Sequence, residues 1–152
     1  MEKVGDEGAS LVIVGVDGST SSMGAVRWAG DYAAATGAAI SLVAAWEWPT
    51  SYGWPIPLPE DYDPASDAER ILAEAAAAAR ERHPSLSIET VAVEGPAAKA
   101  LVDASKSASL LVVGSRGHGQ FAGMIIGSVS EHCVAHAHCP VLVYRHQSNP
   151  AH

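Results

Sequence analysis

The chain has 152 residues, 48% of them apolar, with 9 Lys and Arg against 17 Asp and Glu for a formal net charge of −8. That is enough chain and enough apolar content for one domain with a genuine core, and it excludes a disordered polyelectrolyte. An acidic surface repels nucleic-acid backbones and anionic lipid, so neither is an expected partner, and an anionic ligand has to be held mostly by backbone dipoles.

Leu11 to Val16 (LVIVGV) is a β-branched run ended by Asp17-Gly18, the pattern of a strand buried on both faces. Ser19 to Ser22 supply N-cap candidates for a helix whose apolar residues recur at Met23, Val26, Ala29, Tyr32 and Ala33, with Gly37 as its stop. Ala39 to Ala45 is the second strand. From Trp46 to Asp63 the rhythm breaks: Pro49, Pro55, Pro57 and Pro59 argue against any regular element, among Trp46, Trp48, Tyr52, Trp54 and Tyr62. This aromatic stretch has three open readings: a cover for a bound base, a partner contact, or packing on the edge of the sheet. Pro64 to Arg82 is alanine-rich and strongly helical, and His83-Pro84 ends it. Leu86 to Val93 alternates as a strand does, Pro96 to Ser107 is a short helix, Ser109 to Gly114 is the fourth strand, Gly127 to Ala137 is helical, and Pro140 to Tyr144 is the fifth strand. Strands alternating with helices imply an α/β fold with a mainly parallel sheet and helices on both faces. Residues 1–9 and 147–152 are expected to be flexible ends of a single domain over 10–146.

The chemistry concentrates after the fourth strand. Residues 114–130 read GSRGHGQFAGMIIGSVS, with five glycines between Gly114 and Gly127. Glycine loses more entropy on folding than any other residue, so such a cluster calls for a reason: positive φ, or backbone brought close to a ligand. The segment runs into a helix N-terminus, whose free N–H groups and partial positive charge make an anion site that needs no lysine. Ser128 and Ser130 offer hydroxyls beside it. Open α/β sheets bind ligands at this edge. No G-x-x-x-x-G-K-[ST] motif occurs. Gly117 to Ala122 matches a dinucleotide fingerprint only in spacing, because it follows the wrong strand and lacks the acidic residue expected about 20 positions later.

Gly114-x-x-Gly117, nine residues, then Gly127-Ser128 resembles the ATP-binding pattern G-2x-G-9x-G-[ST] of the universal stress protein family, together with Val16-Asp17-Gly18-Ser19 and the closing Ala137 to Val143. The resemblance runs from about Leu11 to Arg145. It implies an open, Rossmann-like five-stranded parallel sheet in the order 3-2-1-4-5 and a homodimer joined through the C-terminal strand. It also implies ATP, with Mg²⁺ arriving on the phosphates rather than on a protein site. Asp17, beside Gly15 and Val16, would contact ribose or the adenine side, and Ala45 would give backbone contacts to adenine. Gly114 and Gly117 would approach ribose and phosphates, with Ser115, Arg116, His118, Gly119 and Gln120 completing the segment. Gly127, Ser128, Val129 and Ser130 would hold the phosphates. The expected function is an ATP-binding stress-response regulator acting on a protein partner that the sequence does not identify. The alternatives are a slow ATP hydrolase, a binder of another adenine nucleotide such as cyclic AMP, and a nucleotide-free interaction module.

Other groups weigh less. His132 and His136 share a helical face, but Cys133 and Cys139 do not join them, so a structural zinc is not expected, nor is a Cys133–Cys139 disulfide. His118 is read as a positioning or exposed residue rather than a base. Two cysteines, no apolar leader and no apolar run near the ~18 residues of a membrane span make the cytoplasm the expected compartment.

Overall fold

The structure is a computed structural model that describes residues 10–51, 54–115 and 127–145. Its main elements are β1 (Leu11–Gly15), α1 (Thr20–Thr36), β2 (Ala39–Trp46), α2 (Pro64–Arg82), β3 (Ile88–Glu94), α3 (Ala97–Ala104), β4 (Leu110–Gly114), α4 (Ser128–His136) and β5 (Val141–Tyr144). The five strands form one sheet in the order β3-β2-β1-β4-β5, which is the expected 3-2-1-4-5, and every pair is parallel.

The continuous apolar run of β1 follows from its place. Val12 lies between Ile40 and Leu110 and Val14 between Leu42 and Val112, so β1 has no exposed edge and no exposed face. Val12, Val14, Ile40, Leu42 and Val112 pack against α1 and α2, while Ile13, Val43, Leu111 and Val113 pack against Leu101 of α3 and Cys133 of α4. The buried face of α2 includes Ala68, Leu72, Ala75, Ala76 and Ala79, and its four alanines are small enough to let a helix lie close on a sheet.

The helix ends follow their sequence signals. Ser19 Oγ accepts the Ser22 amide at 3.2 Å at the start of α1. Gly37 ends it at φ +82°, with its N–H on Ala33 O at 2.8 Å. Asp63 Oδ1 accepts the Ser66 amide at 3.2 Å ahead of Pro64.

Two expectations need correction. The helix expected over 96–107 stops at Ala104 and tightens into a 3-10 turn over Ser105–Ser107. Ser105 is fully buried, and its hydroxyl turns back onto Val102 O at 2.6 Å, which tightens the last turn. The proline-rich stretch also holds a regular element, an antiparallel ribbon of Thr50–Ser51 with Trp54–Pro55. A ribbon of two strands is all edge, where proline is tolerated.

Candidate functional site

The strand order reverses between β1 and β4: β1 is continued in sequence by β2 on one side and flanked by β4 on the other. A crevice opens beyond the C-terminal ends of strands at such a point. Four chain segments meet there, namely the end of β1, the first turn of α1, the end of β4 and the start of α4.

At the end of β1, Val16 is buried and its amide continues the ladder onto Val43 O at 2.8 Å. Asp17 is exposed and fixed from both sides. Its Oδ1 accepts the Ser19 amide at 2.9 Å, and its own amide donates to Ser22 Oγ at 3.3 Å. Gly18 takes φ +83°, which turns the chain from strand into helix. Ala45 stands two residues beyond Val43, the partner of Gly15, and is half-buried near the end of β2.

At the end of β4, Gly114 lies against the first turn of α1. A Cβ built there would come within 2.8 Å of the Ser21 carbonyl carbon and 2.9 Å of the Ser22 nitrogen. Gly114 is not among the positive-φ glycines of the described residues, which are Gly18, Gly37 and Gly95. Of the two reasons sequence offers for glycine, positive φ does not apply at Gly114, and the close approach is made by the protein's own helix. A Cβ at Gly15 would meet Leu101 Cδ1 at 2.8 Å, a side-chain tip rather than backbone.

Ser115 is 3% exposed, and its amide donates to Tyr144 O at 2.7 Å. Its carbonyl accepts the Gly127 amide at 2.5 Å, so the chain leaves the sheet at Ser115 and is tied back to the same place at Gly127. Gly127 is the N-cap of α4 and makes no side-chain cap bond. Among the described residues, no acceptor meets the amides of Ser128, Val129 and Ser130. These are the orphan donors of a first helical turn. Ser128 and Val129 are exposed; Ser130 is 2% exposed.

Gly15, Val16, Asp17, Gly114, Ser115, Gly127, Ser128, Val129 and Ser130 are thus gathered at one end of the sheet, with Ala45 one strand away. Arg116, Gly117, His118, Gly119 and Gln120 lie outside the described residues. Sequence reasoning named Ser21 and Ser22 only as cap candidates and missed that they bridge the two halves of the site. The available signal was four consecutive hydroxyl residues, Ser19 to Ser22, where one cap needs one. Asp17 is the one charged group among the gathered residues, and Glu131 stands in the first turn of α4. With so little cationic charge among the described residues of the site, an anion there relies on amides.

Elsewhere, the aromatic stretch is anchored on the body of the protein. Trp46 packs against the α1–α2 side of the core, Trp48 meets it edge-on at 6.2 Å, and Tyr62 lies 6.1 Å from Trp48, while Trp54 stays 74% exposed. The His132 and His136 rings stand 4.4 Å apart, as their spacing predicts, but no group of three or more His, Cys, Asp or Glu among the described residues is placed to hold a metal. Both cysteines are free thiols, and burial pushes the Cys133 thiol up to about 11. No helix among the described residues is long and apolar enough to cross a membrane.

The family model described as Universal stress protein family matches residues 10–145. Universal stress protein Rv2623 of Mycobacterium tuberculosis is 41% identical over 140 residues, covering 88% of this chain and 44% of that protein. Universal stress protein Rv2624c of the same organism is 38% identical over 142 residues, covering 93% of this chain and 50% of that one. The chain therefore spans about half the length of the curated relatives it matches. Among solved structures, a universal stress protein in complex with cAMP superimposes with a TM-score of 0.69 at 32% identity, covering 91% of this chain and 98% of that one.

Proposed function

Because the chain belongs to the universal stress protein family, we propose that it is a cytoplasmic ATP-binding regulatory protein whose nucleotide occupancy shifts a conformational or partner-binding equilibrium. The observation that carries this is the start of α4. Its first-turn amides lie at the switch point of the sheet, and its cap is a glycine with no side-chain oxygen to occupy them. A phosphate there meets N–H donors and the positive end of the helix dipole. In this reading Gly127, Ser128, Val129 and Ser130 hold phosphates through main-chain amides. Gly114, Ser115, Arg116, Gly117, His118, Gly119 and Gln120 form the wall along ribose and phosphates. Asp17, with Gly15 and Val16, faces ribose, and Ala45 meets the base. Mg²⁺ comes with the phosphates and offsets the carboxylates of Asp17 and Glu131. Slow ATP hydrolysis is the alternative, with Arg116, His118 and the serines as the groups that would act on the transferring phosphoryl.

Calorimetric titration and thermal unfolding with ATP and Mg²⁺ test the reading. A ligand that binds only the native state stabilises it, by about 2.7 kcal/mol at a hundredfold excess over Kd. No heat and no thermal shift at millimolar ATP refute it. The cAMP complex of the 32% identical relative supports a second reading, in which cyclic AMP is the preferred ligand; competition between the two nucleotides decides. We also propose a homodimer through β5, whose four residues are all half-buried and which, among the described residues, pairs only with β4. Light scattering after gel filtration gives its mass.

A further inference from the structure

The serines around the end of β4 face inward. Ser21, Ser115 and Ser130 are 6%, 3% and 2% exposed. Ser130 Oγ lies 3.2 Å from Ser115 O and 3.1 Å from Gly127 O, and the Gly127 amide donates to that same Ser115 oxygen. On the other side, Ser115 Oγ lies 3.4 Å from Ser21 Oγ, and the Ser115 amide is tied to Tyr144 O. One carbonyl, that of Ser115, therefore accepts the Gly127 N–H and lies within hydrogen-bond reach of the Ser130 hydroxyl.

A hydroxyl has a single proton. At Ser130 it points to one of two carbonyls of the fold, which leaves only oxygen lone pairs for any phosphate, and these repel phosphate oxygens. We propose that Ser130 is a positioning residue: its side chain clasps the N-terminus of α4 to the end of β4 and so fixes where the first-turn amides stand, while only its main chain faces a ligand. The affinity part of this inference rests on the nucleotide-binding reading above; the geometric part does not.

The test uses Ser130→Ala and Ser130→Thr in the full chain. In nucleotide-free protein, exchange of the Gly127 amide, followed by NMR, should quicken about tenfold in Ser130→Ala, because the second bond, which holds Ser115 O in place for the Gly127 amide, is gone. Exchange at Val112 and Leu42, in the sheet, should stay unchanged. ATP affinity should fall about tenfold in parallel, and Ser130→Thr, which keeps the hydroxyl, should restore both. Unchanged Gly127 exchange in Ser130→Ala overturns the clasp, and if affinity falls all the same, Ser130 contacts the ligand directly. Equal quickening at Val112 and Leu42 also overturns it, since that is general destabilisation. Faster Gly127 exchange with unaltered affinity overturns the positioning role. If wild-type protein binds no ATP, the nucleotide reading fails, and the exchange comparison still decides whether the clasp exists.

Discussion

Gly114→Ala separates two explanations for a glycine at the mouth of the proposed nucleotide site. If the residue is glycine only to admit ligand, an added methyl leaves the ligand-free protein as stable as before. The structure says otherwise. The new Cβ would lie 2.8 Å from the Ser21 carbonyl carbon, 2.9 Å from Ser21 Cβ and 2.9 Å from the Ser22 nitrogen. Two of those three atoms are backbone of a capped helical turn that also holds Asp17 through Ser22 Oγ. That turn moves only as a unit, so the cost is that of overpacking a fixed neighbour, about 1–3 kcal/mol. For a domain of this size each kcal/mol lowers Tm by roughly 2–4 °C. Gly15→Ala is the internal control. Its Cβ meets Leu101 Cδ1, also at 2.8 Å, but that atom ends a rotatable side chain, so the loss should be smaller. Urea unfolding without nucleotide gives both values. A Gly114→Ala protein within about 0.5 kcal/mol of wild type, or one more stable than Gly15→Ala, refutes the argument.

Three further outcomes are expected. Ser105→Ala removes the acceptor of the His138 amide, at 2.9 Å, in a fully buried position, and should cost about 1–3 kcal/mol with an unchanged urea m-value; a neutral substitution rejects that bond as a structural tie. Asp31 binds His83 Nε2 at 2.7 Å and Arg82 Nη2 at 2.9 Å, contacts that hold its carboxyl below the usual carboxylate range. A depressed pKa means the contribution is present above the unfolded-state value and lost as pH falls through the folded one. Asp31→Asn should therefore lower stability at neutral pH, by less than about 1 kcal/mol for a half-exposed pair. The gap to wild type should close below about pH 4; a gap that persists in acid denies the linkage. Cys133, fully buried with its pKa pushed up, should resist a thiol reagent in native protein while the half-buried Cys139 reacts first; equal labelling rates contradict the packing of α4.

How much of this was legible in sequence depends on the distance over which each feature is determined. The alternation of strands and helices, the two-faced core and the caps at Ser19 and Gly37 come from local pattern and composition, the sheet order comes from the family resemblance, and each stands where it was expected. The ribbon of Thr50–Ser51 with Trp54–Pro55 was hidden because four prolines outweighed a pairing only two residues long. The break at Ser105 depends on a hydroxyl that turns back to Val102 and takes the amide of His138, a choice no window around Ser105 contains. At the site, the glycine spacing announced a backbone cradle, but the neighbour that requires Gly114 lies on α1, and Ser21 and Ser115 are 94 residues apart. Sequence treated Ser130 as a hydroxyl for phosphate. Only packing shows that its proton is directed into the fold.

The charge balance gives the proposed amide cradle a signature that a lysine-based cradle lacks. With a net charge of −8, the protein repels an incoming nucleotide at long range. That repulsion reaches ~30 Å at 0.01 M salt and ~8 Å at 0.15 M. The attraction proposed for the amides of Ser128, Val129 and Ser130 is different in kind, because it acts at hydrogen-bond distance from oriented N–H groups and falls off within one helical turn. Added salt therefore removes more of the repulsion than of the attraction. At constant free Mg²⁺, the affinity for ATP should hold steady or tighten between these two salt concentrations, with isothermal calorimetry as the readout. A weakening of about tenfold or more is the behaviour of phosphates held by exposed point charges. It would transfer the main holding role from the α4 amides to a cationic side chain, of which Arg116 is the nearest in sequence.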